Sequence, residues 1–176
     1  VTLGDVTNNG ALTLSGAGTL TANTTVTAPS VVTLSGAIAG GFALTKAGPS
    51  VLTLGGANTF TGGVTVTTGT VKVGNAAGLG TGPLSMATGT TLSSSSGTAY
   101  TLTNGYTLNG SVTLGDGTNT GALTLSGAGT LGSNTTVTTP SAVTLSGVVG
   151  GGAVSLTKAG TSILTPVSYT HLRAHE

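Results

Sequence analysis

Cysteine and tryptophan are absent from the chain, and charge is nearly so: of 176 residues, four are Lys or Arg and three are Asp or Glu. Without cysteine there is no disulfide and no thiolate chemistry, so stability has to come from burial and backbone pairing. A net charge of +1 leaves no cluster of cations for phosphate, which argues against nucleic acid and anionic membrane as partners. Disorder of the kind that joins low hydrophobicity to high net charge is excluded as well. No apolar run reaches the roughly 18 residues of a spanning helix, so no membrane insertion is expected of this segment. The i, i+3, i+4, i+7 spacing of an amphipathic helix is missing throughout. At the N-terminus, "VTLGDVTNNG" has neither the basic start nor the apolar core of a signal peptide. It opens inside a pattern and reads as an excised segment.

What the chain has instead is threonine and glycine, 39 and 32 of them. Thr is β-branched and suits a pleated surface, and Val and Leu are frequent enough to bury. Short runs recur in which large apolar residues alternate with Thr or Ser and end in Gly or Asn: "ALTLSG" at 11–16, "VVTLSG" at 31–36, "VLTLGG" at 51–56. Period-two alternation with such endings is the strand signature. Val1 to Leu34 also aligns without gaps on Val112 to Leu145, and the two stretches differ only at Val6, Asn9, Thr21, Ala22, Ala28 and Val31. With one insertion the match runs on through "LTKAG" at 156–160, so 1–54 is equivalent to 112–165.

Strand spacing alone permits a sandwich or a barrel. A long block that recurs is of little use to a closed fold, whereas a solenoid can extend by it. The 20-residue rhythm of the three runs matches one turn of a parallel β-helix, with Leu14, Leu34 and Leu54 stacked in one column. The expected fold is therefore an all-β solenoid of seven or eight turns over residues 1–165. Asn9-Gly10, Asn104-Gly105 and Asn109-Gly110 accept the backbone of tight turns; Asn-Gly also marks hairpins, so a local antiparallel excursion competes. Between Ala76 and Ser96 core residues thin out, and looser turns or a protruding loop are expected there.

The stretch "LTKAGPSVLTLGGANTFTGGVTVTTGTV" at 44–71 resembles the autotransporter-associated β-strand repeat of bacterial passenger domains. The resemblance rests on Leu44, Thr45, Lys46 and Gly48; on Leu52 and Leu54; on Gly56, Asn58, Thr59, Phe60, Gly62 and Gly63; and on a second, cut copy with Leu156, Lys158 and Gly160. It implies a right-handed parallel β-helix, exported through the outer membrane of a Gram-negative bacterium ahead of a β-barrel translocator. Such passengers stay on the cell surface or are released.

The second copy breaks off at Pro166 into "PVSYTHLRAHE", which holds His171, Arg173, His175 and Glu176. Residues 166–176 read as a non-native or disordered tail, of the kind a cloning adaptor leaves. The competing reading is a native polar cap, which solenoid ends require.

Few residues suggest chemistry. His171 and His175 have the i, i+4 spacing of some zinc sites but lack a third ligand outside the tail. Asp5 and Asp116 sit in "LGDVTNNG" and "LGDGTNTG"; one carboxylate per turn is too few for calcium, and an Asx turn repeated with the block is the expectation. Glycoside hydrolysis needs two carboxylates about one bond, and these are a whole block apart. No Ser has a base beside it. No catalytic, cofactor or metal site is therefore expected. Lys46 and Lys158 are expected as solvated edge charges. Phe42, Phe60, Tyr100 and Tyr106 read as core or cap residues. Thr65 and Thr67 resemble the rows of ice-binding solenoids, but with irregular spacing. The reading favoured is a structural stalk segment of a surface-exposed passenger. The alternative is an adhesin or self-association module that binds glycans, host protein or neighbouring copies through a lateral face.

Overall fold

The computed structural model describes residues 1–5, 7 and 10–169, with side chains as far as residue 166. Every pairing between strands is parallel, and no helix occurs among the described residues. The chain winds as a β-solenoid with three faces. Face one is an 8-stranded sheet: Leu12–Leu14, Val32–Leu34, Val51–Leu54, Thr70–Val73, Thr91–Ser94, Ser111–Leu114, Thr135–Thr138 and Leu156–Ala159. Eight strands on one face make eight turns, and seven steps of ~4.8 Å give a rod of ~34 Å.

From Leu12–Leu14 the chain passes to Gly18–Leu20 on face two and Thr24–Thr27 on face three, then returns to face one at Val32. Face three continues through Leu44–Ala47, Val64–Val66, Leu84–Met86, Tyr106–Leu108 and Gly129–Leu131. Face two is carried first by Ile38–Gly40 and later by Tyr100–Leu102 and Leu123–Leu125. Between them it is held by separate bonds, such as Thr59 N–H to Ile38 O at 2.8 Å and Thr81 N–H to Phe60 O at 3.0 Å. The long strand Val143–Gly150 serves faces two and three without a break.

Alternation sorts the side chains. Leu14 registers with Leu34 and Leu34 with Leu54, the column expected from the 20-residue rhythm. Leu52, Val71, Leu92 and Leu114 form the neighbouring row and are all fully buried. On the outside of face three, Thr25, Thr45, Thr65, Ser85, Thr107 and Thr130 stand in one row over six turns. The hydroxyl spacing along this one row is regular. At the next outward position Thr27 registers with Ala47, so a second continuous row is missing.

One expectation is corrected, and one competing reading falls. Residues 76–96 form neither a protruding loop nor looser turns: Leu79, Leu84, Met86 and Leu92 are buried, and buried Thr90 and Ser94 bond backbone carbonyls. Asn104-Gly105 and Asn109-Gly110 make solenoid corners instead of hairpins. Asn9 and the residues from 170 onward, including His171, Arg173, His175 and Glu176, lie outside the described residues. The composition break at Pro166 does not end the last strand, Leu164–Tyr169, which pairs with Val143–Gly150.

The repeated block does not return to the same face. Leu12–Leu14 is on face one, but its counterpart Leu123–Leu125 is on face two; Thr24–Thr27 is on face three, but Thr135–Thr138 is on face one. One full block, Val1 to Ser111, therefore advances the chain by five turns and one face.

Candidate functional site

The residues singled out in 44–63 share one stretch of the rod, and each has a definable task. Leu44, Leu52 and Leu54 point inward and are buried, while Thr45 and Thr59 face outward. Asn58 is also buried, and its amide ties three turns together. Its Oδ1 accepts the Ile38 N–H at 2.8 Å, and its Nδ2 donates to Gly78 O at 2.6 Å. Phe60 is 0% exposed and fills the core where face two has no regular strand. Gly56 and Gly62 lie where a Cβ would strike the backbone of the preceding turn, at Gly36 and Phe42, and Gly63 turns the next corner.

Lys46 departs most from expectation. In place of an edge charge, it is fully buried in an aliphatic row, registered between Val26 and Val66. Alternation puts it there: Leu44 points in, Thr45 out and Lys46 in. Its ammonium donates to Ala47 O at 2.8 Å, Gly48 O at 2.7 Å and, one turn on, Thr68 O at 3.2 Å. Three charge-assisted bonds offset part of the desolvation cost. Burial nevertheless pushes the pKa down to about 8. No other ionisable residue occurs in Thr24–Thr27, Val64–Val66 or the corners 47–50 and 67–69 that surround it.

A pH dependence follows. The unfolded chain keeps this proton up to about pH 10.5 and the folded chain only to about 8, so the penalty is complete below pH 8 and is relieved as pH rises between the two. The chain should gain up to about 3 kcal/mol from Lys46 across that window. Urea denaturation at pH 7 and pH 9.5 should register about 2 kcal/mol of it; in Lys46→Met this contribution should vanish, and an unchanged slope would refute the assignment.

The cut copy shows the same corner uncovered. Lys158 takes the register of Val137 and donates to Gly160 O, as Lys46 does to Gly48 O, yet it is exposed, in keeping with the sequence reading. Leu156 packs against the core from the end of the rod. Gly48 and Gly160 have φ of 82° and 84°, a left-handed backbone that Gly adopts without strain. In both corners a Ser hydroxyl reaches back to a Pro carbonyl, Ser50 to Pro29 O at 2.7 Å and Ser162 to Pro140 O at 2.9 Å. These corners join different faces, so the corner is a portable unit.

Asp5 and Asp116 form matching Asx turns: in each, Oδ1 accepts the N–H of Thr7 or Thr118 at 2.8 Å and its hydroxyl at 2.6 Å. Asp116 Oδ2 also meets Lys72 Nζ at 2.5 Å and Asn119 Nδ2 at 3.3 Å. Burial disfavours the Asp116 charge, but hydrogen bonds from Lys72 and Thr118, together with the Lys72 charge, outweigh it and hold the carboxyl well below its usual range. The ion pair spans two turns and crosses Ser93, which registers with Lys72 on the outer side yet is fully buried. With side chains 19% and 18% exposed, its loss in Asp116→Asn should cost about 1 kcal/mol at pH 7. The difference from the parent chain should shrink as pH falls below about 4, since a depressed carboxyl stabilises only while ionised. Denaturation midpoints at pH 7 and pH 3 check both statements.

The aromatic residues divide. Tyr106 is buried, Tyr100 is partly buried with its hydroxyl on Gly74 O at 2.9 Å, and Phe42 is 41% exposed at a corner rather than in the core.

Against this geometry the comparison with known families is specific. Residues 44–73 match the family model of the passenger-associated-transport-repeat. The passenger repeat thus begins at the strand that carries Lys46 and ends with the strand following Thr68, so the ammonium bonds within one repeat. Passenger repeat and solenoid together fit a segment of an autotransporter passenger. No curated protein and no solved structure matches the chain.

Proposed function

We propose that this chain is a stalk segment of a bacterial autotransporter passenger, without catalytic activity, that extends other regions from the cell surface or is released with them. The reading rests chiefly on a passenger repeat at 44–73 set within a continuous eight-turn rod. The polar groups that would suggest chemistry serve the winding instead. Asp116 is engaged by Lys72, Thr118 and Asn119, Lys46 by backbone carbonyls, and Asn58 and Asn104 by neighbouring turns. Passage through the outer membrane of a Gram-negative cell suits a chain with no disulfide and little charge, because each turn can fold on the one before it.

One observation favours the alternative, an adhesin or self-association module. Thr65 and Ser85 of the outward row, with Ala87, Thr88, Asn109 and Ser133, line an open groove of about 520 Å³ that carries no charge. The exposed lining is mostly apolar and carries no charge, so the apolar face of a neutral sugar in a host glycan fits better than an ionic partner, and a neighbouring copy would meet no like charge there.

A glycan array and a cell-aggregation assay on the full chain separate the two. The stalk reading expects no saturable binding and no aggregation. Binding abolished by Ser85→Lys would establish the adhesin reading, and turnover in a hydrolase or lyase screen would overturn both.

A further inference from the structure

Aliphatic burial alone does not determine how these turns stack. Near-identical residues occupy face one in the first block and face two in the second, so the faces are interchangeable for the apolar pattern. Successive face-one strands start at Leu12, Val32, Val51, Thr70, Thr91, Ser111, Thr135 and Leu156, so turns differ in length and the corners absorb the difference readily. A slip of two positions between neighbouring turns keeps every apolar side chain inward, because side chains alternate with period two. Some other contact has to select the register.

We infer that Lys46 is the register key of the passenger repeat: its buried ammonium accepts only the Thr68-Gly69 corner above it, and so fixes how residues 64–73 stack on 44–54. Three observations carry this. Lys46 stands in an inward row otherwise filled by Val26, Val66, Met86 and Leu108, and is fully buried. That turn supplies the Thr68 carbonyl at 3.2 Å. It also supplies Gly69, where a Cβ would stand 2.9 Å from the ammonium and 2.5 Å from Gly48 O. A slip by two positions would set Thr67 or Val71, each with a Cβ, where Gly69 stands against the ammonium, and would move Thr68 O away from it. A buried charge that loses a partner is costly, whereas a hydrocarbon at position 46 leaves only the backbone contact of position 69 with Gly48 O to oppose the slip. Lys158 supplies the contrast: in the same motif, with no such corner above it among the described residues, the ammonium is exposed and bonds the Gly160 carbonyl.

The absence of cysteine makes the test direct. Thr45 and Thr65 are register partners, about 4.8 Å apart at Cα and within disulfide reach, whereas positions offset by two are ~8 Å apart and beyond it. In the full chain, the double variant Thr45→Cys/Thr65→Cys should close its disulfide. Thr45→Cys/Thr67→Cys and Ala47→Cys/Thr65→Cys, which report slips in the two directions, should stay reduced. Adding Lys46→Met should raise closure of at least one offset pair several-fold, and adding Lys158→Met should leave all three pairs unchanged. The inference falls if the offset pairs remain reduced in folded Lys46→Met, or if Lys158→Met loosens them equally. Failure of Lys46→Met to fold would also overturn it, since the lysine would then be required for stability rather than for register.

Discussion

Phe60→Ala is expected to lower the unfolding free energy by about 3–5 kcal/mol, the range for removing a buried aromatic ring. The upper part of that range applies because the cavity cannot easily close. Phe60 lies on face two where no strand is formed, and the backbone on either side is pinned by Thr59 N–H to Ile38 O and Thr61 N–H to Gly40 O. On the far side Gly80 already packs against the ring, in a left-handed conformation with φ of 67°. Asn58, two positions away, holds the adjoining turns at fixed spacing. Urea denaturation gives the total, and hydrogen exchange should place the loss first in the turns around residues 38–81, because each turn of a solenoid contacts only its neighbours. Phe42→Ala, which truncates an exposed ring, should change stability by less than about 0.5 kcal/mol. Equal costs for the two would mean that Phe60 is not the core residue of this segment.

That contrast also shows which features were legible in sequence. Burial at Leu44, Leu52 and Leu54 followed from alternation with Thr, and so did the column of Leu14, Leu34 and Leu54. The solenoid itself was implied by a block too long for one supersecondary unit, repeated in a chain without helical periodicity. The Asx turns at Asp5 and Asp116 were legible because their bonds are local, two positions along the chain.

What escaped was non-local or ran against a residue's usual preference. Lys46 was expected as a solvated edge charge near a strand end, although the alternation in Leu-Thr-Lys-Ala already placed it inward. The missing signal was the partner: Thr68 is 22 residues away, and nothing local in the sequence marks a carbonyl as an acceptor. The same holds for the Lys72–Asp116 pair, separated by 44 residues. Residues 76–96 looked poor in core because Ser and Thr dominate; in the fold, Thr90 and Ser94 are buried by spending their hydroxyls on carbonyls. The rotation of the second block could have been anticipated. The block offset carries Leu12 to Leu123, which is not a whole number of the steps that carry Leu12 to Val32 and Val32 to Val51, so at that step length the copy arrives on a different face.

Because the two blocks share sequence but not surroundings, they provide an internal control on stability. Leu125→Ala should cost about 2–5 kcal/mol, as for a leucine removed from a packed core. Leu14→Ala, the same substitution in the same "ALTLSG" context, should cost less than about 1 kcal/mol. The difference arises from packing: Leu125 is 1% exposed, with Leu102 registered on one side and Leu145 on the other, whereas Leu14 is 43% exposed with Leu34 on one side. Local propensity and turn chemistry are the same at both positions and cancel in the comparison. The reverse asymmetry is expected for the motif lysines: the alkaline stability gain should disappear in Lys46→Met and persist in Lys158→Met, because only Lys46 is sealed. If Leu14→Ala and Leu125→Ala proved equally costly, stacking of neighbouring turns would not be what stabilises this rod, and the stalk reading would lose its physical basis.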